Sequence, residues 1–127
     1  MTEKQAEYTI PGVGPDAQIA TNEKGGKQSA TPYAFHLVDP KAMFKLAEVL
    51  QYGATRYERD NWRKISAEDH LNHLLHHAYA WMAGDKSDDH VGHLFCRGMM
   101  FAAMAIAEQE ELAQRILPPG RVGADID

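Results

Sequence analysis

The feature that most constrains this fold is a run of ten apolar or small residues, 98–107, within a longer stretch that has helical character. A helix that is apolar around its whole circumference is buried on all sides, and three helices of one chain do not offer enough surface to do this. With 127 residues the chain has room for one domain and one core. We therefore expect a small all-α domain that is completed by further copies of the same chain.

Three main helices are predicted from apolar periodicity and capping signals. The first begins at Asp39-Pro40, where Asp39 is a suitable cap and Pro40 suits the first turn, and it is expected to end at Gly53. The second begins after Ser66 and ends at Gly84, and the third covers about 89–112. The predicted core stripes are Met43, Leu46, Ala47 and Leu50 in the first helix and Leu71, Leu74, Leu75, Ala78 and Met82 in the second.

The domain organisation follows from composition. Residues 1–30 are polar and rich in glycine, so they are predicted to form a mobile arm, and 118–127 form an acidic tail. The helical bundle occupies 31–117. Cys96 is the only cysteine, so no disulfide forms within the chain and we expect a reducing, cytoplasmic location. No uninterrupted apolar run is long enough to cross a bilayer, so no membrane partner is expected.

Charge is distributed unevenly along the chain. Residues 24–64 contain eight basic and four acidic residues, a net charge of +4, which leaves −9 for the rest of a chain whose total is −5. The overall acidity argues against stable binding to duplex nucleic acid, which needs many cationic contacts to phosphate. A basic segment in an acidic protein suits a small anion, although the same charges also fit an ordinary solvated surface.

Six of the seven histidines lie between His70 and His93. His70, His73 and His77 share one face of the second helix, and His90, His93 and Arg97 repeat that spacing on the third. Two antiparallel helices joined by a tight turn bring such faces together, next to the carboxylates of Asp85, Asp88 and Asp89. Imidazole and carboxylate together permit metal-assisted hydrolysis. The alternative is that these histidines only form hydrogen bonds within the core.

Phosphate and base contacts are predicted in the basic segment. The sequence Lys24-Gly25-Gly26-Lys27 offers two unobstructed backbone amides and two cations, which is a weak signal for a phosphate grip. Further along the chain, the forked guanidinium of Arg56 is suited to bind phosphate oxygens. The side-chain amide of Asn61 is able to form hydrogen bonds with the edge of a base. Tyr57 and Trp62 supply stacking faces, or else they cap the core.

These motifs resemble the phage and prophage family of dATP/dGTP diphosphohydrolase N-terminal domains. The resemblance covers about 24–110. Its motifs are Gly25-Gly26-Lys27-Gln28, Leu50-Gln51-Tyr52-Gly53-Ala54-Thr55-Arg56-Tyr57, Asn61-Trp62-Arg63, Asp69-His70-Leu71-Asn72-His73, His77, Gly84-Asp85 and Asp89-His90-Val91-Gly92-His93. That family is similar to the all-α MazG-type pyrophosphatases.

The resemblance implies a helical dimer or tetramer that cleaves nucleoside triphosphates to monophosphate and pyrophosphate with Mg or Mn. The chain departs from the MazG pattern, because it has His70-x-x-His73 and His90-x-x-His93 where that pattern has acidic pairs. We expect a purine deoxynucleotide as substrate. The predicted catalytic residues are Asp85, Asp89 and His73. The predicted metal ligands are His73, His77, Asp85, Asp89 and His90, and the predicted nucleotide-binding residues are Lys27, Arg56, Tyr57, Asn61, Trp62 and Arg97.

Three alternatives stay open at the sequence level. One is a phage protein that binds a signalling nucleotide without turning it over, which the missing acidic residues favour. The second is an HD-type phosphohydrolase, but the chain reads Asp69-His70 and Asp89-His90, the reverse of the order that such a site needs. The third is a purely structural helical oligomer, which leaves the histidine cluster unexplained.

Overall fold

The computed structural model describes residues 10–116. It contains two short strands, β1 (Ile19–Thr21) and β2 (Lys27–Ser29), and three α-helices, α1 (Pro40–Arg56), α2 (Ala67–Met82) and α3 (His90–Ile116). Two 3₁₀ helices, Phe35–Leu37 and Asn61–Lys64, precede α1 and α2. The chain forms two compact units that divide between Asp39 and Pro40. The three predicted helices are therefore confirmed, and a small sheet is added to them.

The sheet of the first unit is an antiparallel hairpin in which Ala20 pairs with Gln28. Its turn is organised by Asn22, whose side-chain oxygen accepts hydrogen bonds from the backbone N–H groups of Lys24 and Gly26 at 2.9 and 2.8 Å. Gly25 supplies the positive φ of +84° that this turn requires. The hairpin was not predicted, because strands of three residues show no detectable period. The start of the predicted arm and the predicted acidic tail lie outside the described residues.

Helix α1 begins at Pro40 as predicted but continues through Gly53 to Arg56, so the predicted end at Gly53 is wrong. The backbone carbonyl of Gly53 accepts a hydrogen bond from Tyr57 N at 2.9 Å, which continues the helical pattern past the glycine. A glycine inside a helix costs only about 1 kcal/mol relative to alanine, which does not by itself stop a helix. Arg56 consequently lies in the last turn of α1.

Capping defines the starts of the other two helices. Ser66 Oγ accepts a hydrogen bond from Asp69 N at 3.1 Å, which confirms the predicted cap of α2. Asp89 Oδ1 accepts from Gly92 N at 3.0 Å and caps α3 in the same way. Gly84 follows α2 with a φ of +88°, a conformation that favours glycine after a helix end. Helix α3 ends beyond the predicted Leu112, at Ile116.

The core lies where α3 packs against α2 and, less extensively, against α1. Among the described residues, the hydrophobic side chains that are buried are Leu46, Ala67 and Cys96. The predicted core stripe of α2 is only partly covered, since Leu75 is 43% and Met82 69% exposed. One chain therefore leaves much apolar surface uncovered.

In helix α3, His90–Arg115 is long enough to cross a membrane and contains an 18-residue window with a mean hydropathy of 1.2. The expectation that no stretch is long enough therefore holds only for uninterrupted apolar residues. One helix of this kind is a weak signal, because core helices of soluble proteins have the same length and composition.

Candidate functional site

A cavity of about 840 Å³ lies in the helical unit. Its walls are the C-terminal half of α1, the connector between α1 and α2 (residues 57–66), and the middle of α3. The structure brings five of the six predicted nucleotide-binding residues to this lining, namely Arg56, Tyr57, Asn61, Trp62 and Arg97. His93, Cys96, Met99 and Met100 from α3 complete the wall opposite α1.

The connector takes its shape from a left-handed residue and a short helix. Asp60 has a φ of +64°, and the 3₁₀ helix Asn61–Lys64 follows it directly. Asp and Asn tolerate this conformation better than other residues with a side chain. The short helix packs against α3, which places Asn61 and Trp62 on the cavity wall.

Arg97 is partly buried and has no carboxylate partner among residues 10–116. Its Nη1 atom donates a hydrogen bond to His70 Nδ1 at 2.9 Å, so its direct partner is a neutral ring nitrogen. Burial lowers the pKa of Arg97, because the charged form has lost part of its hydration. Arg97 thus brings a positive charge to the cavity wall that no anion in the described part of the chain neutralises.

The aromatic residues of the lining are in contact with arginines. Arg63 Cζ lies 4.3 Å from the centre of the Trp62 ring, and Arg56 Cζ lies 5.4 Å from the centre of the Tyr57 ring. Tyr57 is 63% exposed, so most of its ring is accessible to a ligand. In such cation–π pairs the planar guanidinium lies against the face of the ring. The two arginines therefore add positive charge to the rim of the cavity.

The histidines of α2 and α3 do meet, as a chain of hydrogen bonds. Asp85 Oδ2 accepts from His90 Nε2 at 2.7 Å, and His90 Nδ1 lies 3.0 Å from His77 Nδ1. In neutral His90, Nδ1 is therefore the acceptor and His77 the donor. The ring of His93 stacks on that of His77 with 5.1 Å between their centres. Burial, together with the charge of His93, lowers the pKa of His77.

Each of the two predicted catalytic aspartates has its own partners. Hydrogen bonds from the Ser87 hydroxyl and then from His90 lower the pKa of Asp85 to about 2. Asp89 caps α3, and its Oδ2 atom lies 3.1 Å from Lys45 Nζ. The backbone N–H of Gly92 and the Lys45 ammonium lower the pKa of Asp89. Asp89 therefore has a structural role in joining α1 to the start of α3.

His73 lies apart from this turn. It is exposed, and its ring centre is 6.4 Å from that of His76. Partial loss of hydration on the covered side of the ring is the main cause that lowers its pKa, and the positive charge of Arg97 is the next. In the structure the charge of Arg97 therefore acts on the pKa of His73, whereas the sequence pattern grouped His73 with Asp85 and Asp89.

The five predicted metal ligands do not form one ligand set in the described part of the chain, where no three His, Cys, Asp or Glu side chains are arranged to hold an ion. The hydrogen bonds explain why. Both ring nitrogens of His90 are used by Asp85 and His77, and both oxygens of Asp89 are used by Gly92 and Lys45. In this conformation the residues do not fit a metal bound by the protein alone.

Lys27 belongs to β2 of the first unit, whereas the cavity is lined by residues of the second. The predicted phosphate grip on the neighbouring glycine amides is wrong. Gly26 N donates to the Asn22 side chain and Gly25 N donates to the Asn22 carbonyl, so neither amide is available to a ligand.

Sequence reasoning gave no separate role to His70 and His93. His70 is completely buried and bonded to Arg97, and His93 is part of the cavity lining. The i, i+4 spacing of His93 and Arg97 was the available signal, since it places both on one face of α3. Cys96 is buried, which raises the pKa of its thiol and makes it a packing residue.

Comparison with known proteins gives one match that covers most of the chain. The family model described as dATP/dGTP diphosphohydrolase, N-terminal, matches residues 22–115. No curated protein and no solved structure matches the chain. The matched range includes β2, all the cavity-lining residues and the hydrogen-bonded histidines of α2 and α3. The chain therefore belongs to the dATP/dGTP diphosphohydrolase N-terminal family.

Proposed function

We propose that the helical unit binds a purine deoxynucleoside triphosphate in the cavity and hydrolyses it to monophosphate and pyrophosphate. The observation that carries the proposal is Arg97, a partly buried guanidinium that faces no carboxylate among the described residues. Removing a charge from water is costly unless a counter-charge compensates. A phosphate group bound in the cavity supplies that counter-charge, and the flat fork of arginine suits its oxygens.

The rest of the lining fits the nucleoside part of this ligand. A volume of about 840 Å³ is within the range of small-molecule and cofactor sites. Tyr57 and Trp62 offer aromatic faces for a base, and the side-chain amide of Asn61 has the donor and acceptor that pair with adenine. Arg56 is exposed at the end of α1, where it is able to contact the outer phosphates. The preference for purines and the hydrolytic step rest on the family description.

We propose that a divalent ion, Mg or Mn, accompanies the triphosphate. Mg is usually held by one or two carboxylates together with substrate phosphates, and only rarely by a cage made of protein alone. The lack of a preformed ligand set in residues 10–116 is compatible with such an arrangement. His73, His77, Asp85, Asp89 and His90 are not carried forward as one metal site.

Nucleotide binding without turnover is the second candidate function. The observation that favours it is the hydrogen-bond chain from Asp85 through His90 to His77, which uses the atoms that a catalytic centre would need. A binding protein of this kind would sequester a nucleotide in the same cavity through Arg97, Arg56 and the aromatic residues. The two functions share a binding site and differ only in product formation.

We also propose that a second copy of the chain covers α2 and the apolar part of α3, to give a dimer or a tetramer. The exposed stripe Leu71, Leu75, Tyr79 and Met82 follows the spacing of one helix face, and Ile106 on α3 is 54% exposed. Uncovered apolar surface of this extent is typical of an interaction site. A cytoplasmic location remains part of the proposal and rests on the lone cysteine.

Titration calorimetry with dATP, dGTP, dCTP and dTTP tests the binding proposal directly. We expect the purine nucleotides to bind more tightly than the pyrimidine nucleotides. A pyrophosphate-release assay with Mg or Mn then separates the two candidate functions. Tight binding without product under either metal would establish the binding protein, and no binding of any nucleotide would refute both.

A further inference from the structure

His70 is a completely buried side chain for which the proposed function has no role so far. A buried polar group is normally hydrogen-bonded, and both ring nitrogens of His70 have a hydrogen-bond partner. Nε2 lies 2.9 Å from the backbone carbonyl of Trp62, and Nδ1 lies 2.9 Å from Arg97 Nη1. The His70 ring therefore links Trp62 in the segment between α1 and α2 to Arg97 in α3.

These two contacts fix the protonation state of the ring. A carbonyl only accepts, so Nε2 carries the hydrogen, and a guanidinium only donates, so Nδ1 is the bare acceptor. His70 is consequently a neutral imidazole with one donor and one acceptor, and each is used for a different element of the cavity wall. The Trp62 ring meets the His70 ring edge-on, with 6.3 Å between their centres.

The neutrality of this acceptor matters for Arg97. An Asp or Glu at position 70 would also orient the guanidinium, but it would neutralise the charge that attracts a phosphate. An apolar residue would preserve the charge but leave the guanidinium without a partner to direct it. A neutral imidazole orients Arg97 and leaves its charge available.

We propose that His70 is a positioning residue of the nucleotide site, which holds Trp62 and Arg97 in their binding geometry without neutralising Arg97. This inference rests on the proposed nucleotide binding. His70 does not contact the ligand itself, because it is buried behind Trp62 and Arg97 and is absent from the cavity lining.

The test compares His70→Gln with His70→Leu in calorimetric titrations with dATP and dGTP. The side chain of Gln offers an N–H donor and a neutral oxygen acceptor, so we expect His70→Gln to bind within about threefold of wild type. Leu offers neither group, and we expect its affinity to fall by roughly 10- to 150-fold, the range typical of a lost hydrogen bond to a charged group. His76→Leu is the matched control, since His76 is exposed on the same helix and absent from the cavity lining.

A measurement on the wild-type protein covers the case in which His70→Leu does not fold. In ¹⁵N-labelled protein the Nδ1 signal of His70 should be that of an unprotonated nitrogen, and it should shift when dATP saturates the site, because Arg97 then shares its hydrogen bonds with phosphate.

Three results would each overturn the inference alone: dATP binding that leaves the Nδ1 signal unmoved, equal affinities for His70→Leu and wild type, or an affinity of His70→Gln that falls as far as that of His70→Leu. If wild type binds no nucleotide, the proposed function itself fails.

Discussion

Lys45 of α1 and Asp89 at the start of α3 form an ion pair, with 3.1 Å between Nζ and Oδ2. The same carboxylate caps α3 through its other oxygen, which accepts from Gly92 N. Gly92 has no side chain to obstruct this arrangement; a Cβ atom there would lie 2.5 Å from Asp89 Oδ2. One aspartate therefore fixes both the start of α3 and its contact with α1.

Substitution of Asp89 should accordingly affect stability through the cap more than through the charge. Asn is as good a cap as Asp, so Asp89→Asn should change the unfolding free energy little, since exposed ion pairs contribute little. Asp89→Ala removes the cap and should cost about 1 kcal/mol. Urea denaturation of both variants measures the difference. Equal losses in the two would show that the ion pair, and not the cap, dominates.

The pH dependence of stability should reflect His77, whose side chain is half-buried. The pKa of His77 is lowered in the folded state, mainly by burial, so below about pH 6.5 the unfolded chain binds the proton more readily than the folded one. Stability should therefore fall as pH decreases from about 7 to 5. Thermal melts should show this slope in wild type and a smaller slope in His77→Asn. An unchanged slope in the variant would contradict the assignment.

A second loss of stability is expected at strongly acidic pH from Asp85. Its folded pKa of about 2 lies below the ordinary value of 3.8, so its contribution is present above about pH 4 and is lost as pH falls towards 2. Asp85→Asn should lack this part of the acid transition, whereas Asp16→Asn in the first unit serves as a matched carboxylate control. Circular dichroism between pH 4 and 2 is the measurement. Identical acid transitions in wild type and Asp85→Asn would refute the prediction.

Arg97 should dominate nucleotide affinity. Arg97→Leu should weaken dATP binding by roughly 1.5–3 kcal/mol, the range for a hydrogen bond to a charged group. The matched control is Arg115→Leu, which removes an exposed arginine from the same helix. Among the described residues, Arg115 pairs only with the exposed Glu111. Calorimetry at two salt concentrations gives both affinities. If the control loses as much as Arg97→Leu, the effect is one of net charge and the cavity is not the site.

Assembly should depend on the exposed apolar surface of α3. Ile106→Glu introduces a charge where the side chain is 54% exposed, so the single chain should tolerate it while the proposed interface should not. Light scattering should show an oligomer for wild type and a smaller species for Ile106→Glu. Gln114→Glu adds the same charge to an exposed position two turns away, beyond the apolar stretch 98–107, and should leave the oligomer intact. A stable monomer of the wild type at micromolar concentration would refute this proposal.

Divalent ions alone should stabilise the protein little, because residues 10–116 hold no preformed ligand set. A ligand that binds only the folded state raises the melting temperature by mass action. We therefore expect Mn to give no shift by itself and a shift larger than that of dATP alone when both are present. A large shift with Mn alone would show that the histidines rearrange into a metal site.

Local signals in the sequence determined the helical framework. Pro40, the Ser66 cap and the apolar periodicity act over a few residues of chain, and the corresponding helices form where these signals predict. The side chains suited to phosphate and base are likewise legible as residue types, and five of them line one cavity. Gly53 shows the limit of a local signal, because the hydrogen bonds of the surrounding helix outweigh the propensity of one residue.

Only the tertiary structure decided how the histidines are used. Their spacing placed them on two helix faces, but the crossing of α2 over α3 pairs His77 with His90 and brings His70 to Arg97. Likewise, the Asn22 side chain occupies the glycine amides that the sequence offered to phosphate. Helical periodicity specifies the direction of a side chain around its own axis. Its partner depends on the rotation and offset of the neighbouring helix, which are set by packing along the whole interface.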